Sequence, residues 1–369
     1  MAEGMMGKKD MNPPASHHCH LLLGGALLLL LVSSGLSCPA RCECSAQSKS
    51  VSCHRKRLAS IPEGIPIESR VLDLSLTNLT RLDLSHNRLV VLLDHAFQDL
   101  RRLSSLEVGD NELVFVSQRA FTGLLGLQSL TLERSNLTVI PTDALAHLHS
   151  LVELRMRHLS ISFLKPFSFK RLSRLRHLEI DYWPWLDTLP PLSLHGLNLT
   201  SLYITNTNLS AFPGAALRSL PYLTHLNLSF CRIRHIQQGE LGELPYLLEL
   251  RLQGSQLLSV EPFAFTGLKS LQLLDVSHNR LDSLEREVFG SPDSLQRLCL
   301  GGNPLVCDCR MLWLLNSHKP PSLHILDVQP ECSAPEHLHG KSLRELREPL
   351  VSRYMTCTKP RIGPNTHSS

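Results

Sequence analysis

The sequence is short of net charge, of long apolar runs and of catalytic signatures, and each shortage removes a class of function. Lysine and arginine number 37 against 33 aspartates and glutamates, a formal charge of only +4 over 369 residues. That balance excludes a strongly basic nucleic-acid-binding protein. Past the N-terminal segment no stretch approaches the roughly 18 apolar residues of a membrane helix. Neither a prenylation box nor a hydrophobic tail for a lipid anchor follows Cys357. There is no G-x-S-x-G, no glycine-rich phosphate loop and no H-E-x-x-H. The 19 histidines are scattered, and acid–base work needs a pocket that excludes water. The expectation is a protein that is not an enzyme, with no catalytic residue, no metal and no cofactor, and with neither nucleic acid nor a small-molecule substrate as partner.

What the sequence does have is a period. The second leucine-type position of each strand motif falls at Leu84, Val108, Leu132, Met156, Ile180, Ile204, Leu228, Leu252, Val276 and Leu300, always 24 residues on. Around these the chain reads L-x-x-L-x-L-x-x-N-x-L, as in Leu79-Leu82-Leu84-Asn87-Leu89. This is the leucine-rich-repeat signature. One repeat cannot cover its own apolar face. Stacking buries three or four such side chains per repeat, each worth roughly 1.5–3 kcal/mol. The fold class expected is an α/β solenoid: a leucine-rich-repeat horseshoe of about ten repeats, with a parallel sheet on the concave side and disulfide-bonded caps. Such a surface suits protein partners better than enclosed chemistry.

Thirteen residues past each strand anchor a second apolar column runs through Phe97, Phe121, Leu145, Phe169, Leu217, Leu241, Phe265 and Phe289. It should form a spine beneath the convex side, within short helical turns such as 94–100 and 117–124. The asparagine of the motif, which normally bonds backbone groups of the turn, is kept at Asn87, Asn111, Asn279 and Asn303. In the middle it becomes Ser135, Leu159, Trp183, Thr207, Cys231 and Ser255. Serine, threonine and cysteine can replace it in part; Leu159 and Trp183 are expected not to. Irregular coil is therefore expected at 160–164 and 182–191. Trp183 and Trp185 there serve either to fill the core or to form an aromatic edge for a partner.

Lys8 and Lys9, the apolar run 21–32 and the small residues Gly35 and Ser37 read as a secretory signal peptide ending before Cys38. Four cysteines follow (Cys38, Cys42, Cys44, Cys53) and four close the array (Cys307, Cys309, Cys332, Cys357). An oxidising compartment favours disulfides, and Cys-x-Cys is shorter than the usual zinc spacing. C-x3-C-x-C-x8-C resembles a leucine-rich-repeat N-terminal cap. C-x-C with two distant cysteines, and Trp313 close behind, resembles the C-terminal cap. That resemblance implies the pairs Cys38–Cys44, Cys42–Cys53, Cys307–Cys332 and Cys309–Cys357; spacing by itself leaves connectivity open. Cys231 should be buried and inert. Cys299 should face the concave surface, either as a quiet exposed thiol or as a reactive one.

Five N-x-S/T sequons, at Asn78, Asn136, Asn198, Asn208 and Asn227, are candidate glycan sites. A glycan on Asn227 would cover part of the concave face. The strand residues flanking the leucines line that face, and Arg155, Arg157, His177, Glu179, Asp181 and Tyr203 are the candidate partner-binding set. Arg155 should pair with Glu179, and Arg157 with Asp181, across the ladder. The same charges also fit a solvated face that neutralises itself.

From Leu79 to about Ile362 the chain resembles the LINGO family, leucine-rich-repeat and immunoglobulin-domain proteins that interact with the Nogo receptor. The matching stretches are LEVGDNELVF (106–115), FKRLSRLRHLEI (169–180), GLNLTSLYIT (196–205) and NPLVCDCRMLWLL (303–315). The resemblance implies a cell-surface co-receptor or adhesion-type regulator of neurite outgrowth and myelination, with neuronal receptors as partners. It also implies an immunoglobulin domain and a single membrane helix beyond the C-terminal cap. These are absent here, so the chain as written is expected to be secreted into the extracellular space; a fragment of a full-length member would instead belong to the plasma membrane. Val71-Leu72-Asp73-Leu74-Ser75 and Leu82-Asp83-Leu84-Ser85 lie only ten residues apart, too few to close a coil of about 20 or more. An internal deletion near 75–77 and a frustrated first rung are expected. The domains expected are residues 1–37 as signal peptide, 38–75 as N-terminal cap, 76–302 as repeats, 303–358 as C-terminal cap and 359–369 as an unstructured tail. A structural extracellular-matrix leucine-rich-repeat protein is the alternative reading.

Overall fold

The structure, a computed structural model, describes residues 38–39, 42–45, 47, 50–52, 71–73 and 79–355, apart from 243, 291–292, 316–317, 327–329 and 348. Strands recur at the 24-residue step because each L-x-L segment alternates its side chains, leucines inward and polar residues outward. They form one eleven-stranded sheet in sequence order, from Arg81–Asp83 to His324–Leu326. Neighbours are parallel and in register, as in Leu178 opposite Leu154 on one side and Leu202 on the other. The C-terminal cap supplies the eleventh strand, His324–Leu326, beside Arg297–Cys299.

Behind the sheet a single apolar core runs from Val51 in the N-terminal cap to Met355. The spine lies in it: Phe97 stacks on Phe121 at 6.2 Å, and Phe265 meets Phe289 at 5.4 Å. Trp313, one period beyond Phe289, extends the spine into the cap with its ring 5.6 Å away. The same column holds Ser193, whose buried Oγ has no hydrogen-bond partner. The outer turns are mostly hydrogen-bonded turns rather than helices; among the described residues only Thr142–Leu145 and Gly214–Leu217 complete an α-helical turn within the repeats.

The asparagine column works as a ladder. Asn279 Nδ2 donates to Leu252 O one repeat back at 2.8 Å, while its Oδ1 accepts from Leu257 N at 2.9 Å. Asn111 and Asn303 do the same with Leu84 O and Val276 O. Ser255 Oγ and Cys231 Sγ take the donor role, to Leu228 O and Ile204 O. Two expectations fail here. Trp183 does replace the asparagine: its indole Nε1 donates to Met156 O at 3.0 Å, because the ring lies fully buried where the amide would sit. Ser135 does not replace it: its Oγ is buried without a partner.

Where the donors lapse, the backbone compensates. Strands 129–135 and 153–159 run to seven residues, and the ladder continues as far as Ser135 opposite Leu159. Segments 160–164 and 183–191 carry no strand or helix.

In the caps Cys38 is bridged to Cys44, and Cys307 to Cys332. Cys42 and Cys309 are also disulfide-bonded; Cys53 and Cys357, their expected partners, lie outside the described residues. Residues 1–37 and 359–369 lie outside them too. Cys299 is not an exposed thiol: it is 5% accessible, sandwiched between Asp275 and Leu326 because the cap strand extends the sheet over it. Strand Leu273–Asp275 is buried throughout; beyond it Arg297 is 43% exposed and reaches back to Glu249 at 3.2 Å.

Candidate functional site: the polar concave face

The central rungs carry a connected set of charges. Strands 129–135, 153–159 and 177–181 lie side by side, so residues 24 apart stand about one strand spacing, some 4.8 Å, from each other. Arg157 grips Glu179 in a bidentate pair, Nε to Oε1 at 2.7 Å and Nη2 to Oε2 at 2.8 Å. Arg155 Nε approaches the same carboxylate at 3.4 Å, and its Nη2 bonds Glu153 closely. Arg157 Nη1 also faces Glu133 at 3.7 Å. Arg134 extends the set to Asp110 at 3.2 Å.

The expected Arg157–Asp181 pair does not form. Asp181 is taken by its other neighbours, accepting from Thr205 Oγ1 at 2.5 Å and Asn206 Nδ2 at 2.8 Å. Arg157 turns diagonally to Glu179, whose planar carboxylate matches the guanidinium fork. Burial pushes the Glu179 carboxyl up, but hydrogen bonds from His177 and Arg157 and the charges of Arg157 and Arg155 outweigh it and hold its pKa at about 2. Its hydrogen bond to Glu179 raises the pKa of Arg157 in turn. The pair is fixed in its charged form, and Glu179 is too acidic to serve as a general base near neutrality.

Aromatic groups border this cluster. His177 meets the Tyr203 ring edge-on at 4.9 Å. His158 stacks on Tyr182 at 4.5 Å. Tyr182 is 49% exposed and Trp185 63%. Of the two tryptophans, Trp183 thus fills the core and Trp185 stands at the surface.

A column that went unrecognised in the sequence runs beside the face: His86, Asp110, Arg134, His158, Tyr182, Asn206, Phe230, Gly254, His278 and Gly302. All have left-handed φ, from +41° to +72°. The sharp bend there turns each side chain to the rim. Gly254 and Gly302 are required because the rings of Phe230 and His278 lie over them; a Cβ would meet those rings at 2.8 and 2.5 Å. The signal was legible as a 24-residue recurrence just before the asparagine column.

The face therefore brings Arg155, Arg157, His177, Glu179, Asp181 and Tyr203 onto three adjacent strands. Counting Asp110, Glu133, Glu153, Glu179 and Asp181 against Arg134, Arg155 and Arg157, carboxylates outnumber guanidinium groups. Among the described residues no group of three or more side chains is placed to hold a metal ion, and no helix is long and apolar enough to cross a membrane. Of the sequons, Asn136 and Asn198 are exposed, Asn208 and Asn227 half-buried. Asn227 lies on concave strand 225–227, its Oδ1 accepting from Ser229 N at 3.0 Å. Asn78 lies outside the described residues.

A family model described as leucine rich repeat matches residues 77–135, 101–161, 126–182, 197–257 and 245–305. Leucine-rich repeat and immunoglobulin-like domain-containing nogo receptor-interacting protein 2 of Mus musculus is 46% identical over 402 aligned residues, covering 92% of this chain and 66% of that protein. The Homo sapiens protein of the same name gives the same figures. Protein 1 of Xenopus tropicalis is 45% identical, covering 91% and 66%. The chain thus spans about two thirds of the length of the curated relatives it matches. The alignment is also longer than its share of this chain: 92% of 369 residues is about 340, against 402 aligned, so about 62 positions of the mouse protein face no residue here. Among solved structures, the leucine-rich-repeat chain FLRT2 from an octameric complex with Latrophilin 3 and Unc5D superposes with TM-score 0.56 at 24% identity, over 85% of this chain and 99% of that one. At that identity the likeness is one of fold.

Proposed function

The chain belongs to the leucine-rich repeat family and is a relative of the nogo receptor-interacting proteins, and on that premise we propose that it acts outside the cell as a binding module for a neuronal surface receptor. In this reading residues 1–37 are removed on secretion, the two caps close the array, and the protein regulates neurite- or myelination-type signalling either as a co-receptor ectodomain or as a soluble competitor. The relatives are named for interaction with the Nogo receptor, and that receptor is the first candidate partner.

The observation that carries the reading is the Arg155–Arg157–Glu179 cluster with Tyr203 and, through His158, Tyr182 beside it. Rigid aromatic anchors beside prearranged charges are the composition of binding hot spots. Its ions are already oriented by one another, so little side-chain entropy is lost on binding. The excess of carboxylates favours a basic partner surface. Exposed Asn136 and Asn198 suit glycans. A glycan on Asn227 would border the site and confine the partner to strands 153–205.

The test is surface plasmon resonance of the secreted protein over immobilised Nogo receptor ectodomain. Binding that drops tenfold or more in Arg155→Glu and in Tyr182→Ala supports the proposal. No binding to the receptor removes the named partner. Binding untouched by either substitution removes the concave site.

A further inference from the structure

The flank between the concave sheet and the outer turns carries an apolar stripe that stops partway along the array. Past each asparagine position the chain turns away from the sheet. In the first four repeats the outward residue on that flank is Val91, Phe115, Val139 and Phe163, each between 37% and 55% exposed. From the fifth repeat on, the same 24-residue column reads Asp187, Ala211, His235, Ser259 and Ser283. The backbone sets the direction. Val91–Leu92 and Phe115–Val116 form a short parallel ladder in which Leu92 and Val116 are buried. Alternation along the strand then turns Val91 and Phe115 to solvent. Val90, Leu93 and Val114 beside them are exposed as well.

The stripe is large for a surface with nothing on it. Its seven apolar side chains are about half exposed. At roughly 150–200 Å² for each whole side chain they present about 600 Å². The largest apolar patch on a typical monomer is about 300–600 Å², and patches of that size mark contact sites.

The stripe also fits itself. Along it small and large residues alternate, Val, Phe, Val, Phe, at steps of one strand spacing, some 4.8 Å. A two-fold axis passing between the Phe115 and Val139 rungs lays the stripe of a second copy against it in the opposite direction. Val91 then faces the second copy's Phe163, and Phe115 faces the second copy's Val139. At every rung a large side chain meets a small one. The parallel arrangement would instead set Phe on Phe and Val on Val. At the border Leu93 and Asp94, both exposed, come opposite the second copy's Lys165. The lysine stem covers the leucine while its ammonium reaches the carboxylate. Two stripes together remove about 1,200 Å² from water, the lower end of the range for specific interfaces. At that size complementarity rather than area decides the affinity.

We propose that this flank stripe is a homodimer interface, occupied by the same stripe of a second copy in an isologous antiparallel contact.

Sedimentation velocity of the full secreted chain over a concentration series tests this. Asn136, an exposed candidate glycan site, lies three positions before Val139, so the wild type is measured beside Asn136→Gln. A reversible dimer is expected in at least one of these two forms, and the further variants are made in that form. Phe115→Glu should abolish it. Phe115→Val sets valine against valine, and Val139→Phe sets phenylalanine against phenylalanine. Each should weaken the dimer tenfold or more, because the axis places the fault twice at the centre of the contact. The double variant again sets large against small and should recover the dimer. Circular dichroism should be unchanged throughout, because both side chains are exposed. Monomers in both forms, a dimer indifferent to any of the three single changes, or a dimer weakened by the two swaps and not recovered in their combination each overturns the proposal.

Discussion

The indole Nε1 of Trp183 donates to the backbone carbonyl of Met156, 27 residues back, at 3.0 Å. Asn111, Asn279 and Asn303 make the same donation over the same separation. Here a large aromatic residue fills the core and satisfies a buried carbonyl at once, and it does so next to the exposed rim residues Tyr182 and Trp185.

Trp183→Phe should therefore cost more than a loss of volume. It removes one of two hydrogen bonds to Met156 O, which still accepts from Asp181 N in the ladder, so the cost beyond volume should be that of a single hydrogen bond, about 0.5–1.5 kcal/mol. Chemical denaturation of the two proteins, compared at their midpoints, measures it; equal midpoints would mean the bond contributes nothing.

Two positions of the asparagine column should respond oppositely to alanine. Asn279→Ala removes a donor to Leu252 O and an acceptor for Leu257 N, and should destabilise by about 1–3 kcal/mol. Ser135→Ala removes a hydroxyl that is buried with no partner, and should be neutral or slightly stabilising. Thermal melting of both variants decides the order.

Gly254→Ala should destabilise on two counts: its φ of +63° and the Phe230 ring 2.8 Å from the new Cβ. The steric part should vanish in the Phe230→Ala background while the conformational part, about 1 kcal/mol, stays. A double-mutant cycle in melting temperature separates them.

The period made the strands, the apolar spine and the candidate face legible, because burial of one side chain in two along a strand leaves a regular trace; the caps were legible in the cysteine spacing. What the sequence did not disclose depends on how side chains turn. Whether Arg157 chooses Asp181 or Glu179 hinges on Thr205 and Asn206 having claimed Asp181 first. Trp183 looked unable to cap because a residue's type does not reveal where its single donor points. Cys299 looked exposed because its alternation predicts the concave face, while the cap strand that covers it comes from 27 positions further along the chain. The rim column was missed because its residues share a backbone angle rather than a chemical type.

Glu179 should titrate with a midpoint near pH 2, below its ordinary value of 4.5. A carboxyl depressed in the folded state adds stability that is fully present above the unfolded pKa and lost as pH falls through the folded one. The contribution should thus be intact above about pH 5 and fade between there and pH 2. Carbon-detected NMR of the Glu179 carboxyl reads the midpoint directly, and titration at the ordinary value would show that the Arg157 pair does not hold in solution.

The most direct test of the concave face is a pair of glycan wedges. Tyr203→Asn creates the sequon Asn-Ile-Thr on strand 201–205, and Arg171→Asn creates Asn-Leu-Ser on an exposed outer turn. With both glycans verified by mass spectrometry, receptor binding should be abolished by the wedge at 203 and unchanged by the wedge at 171. Binding that survives at 203 and is lost at 171 would place the partner on the convex side and contradict the account.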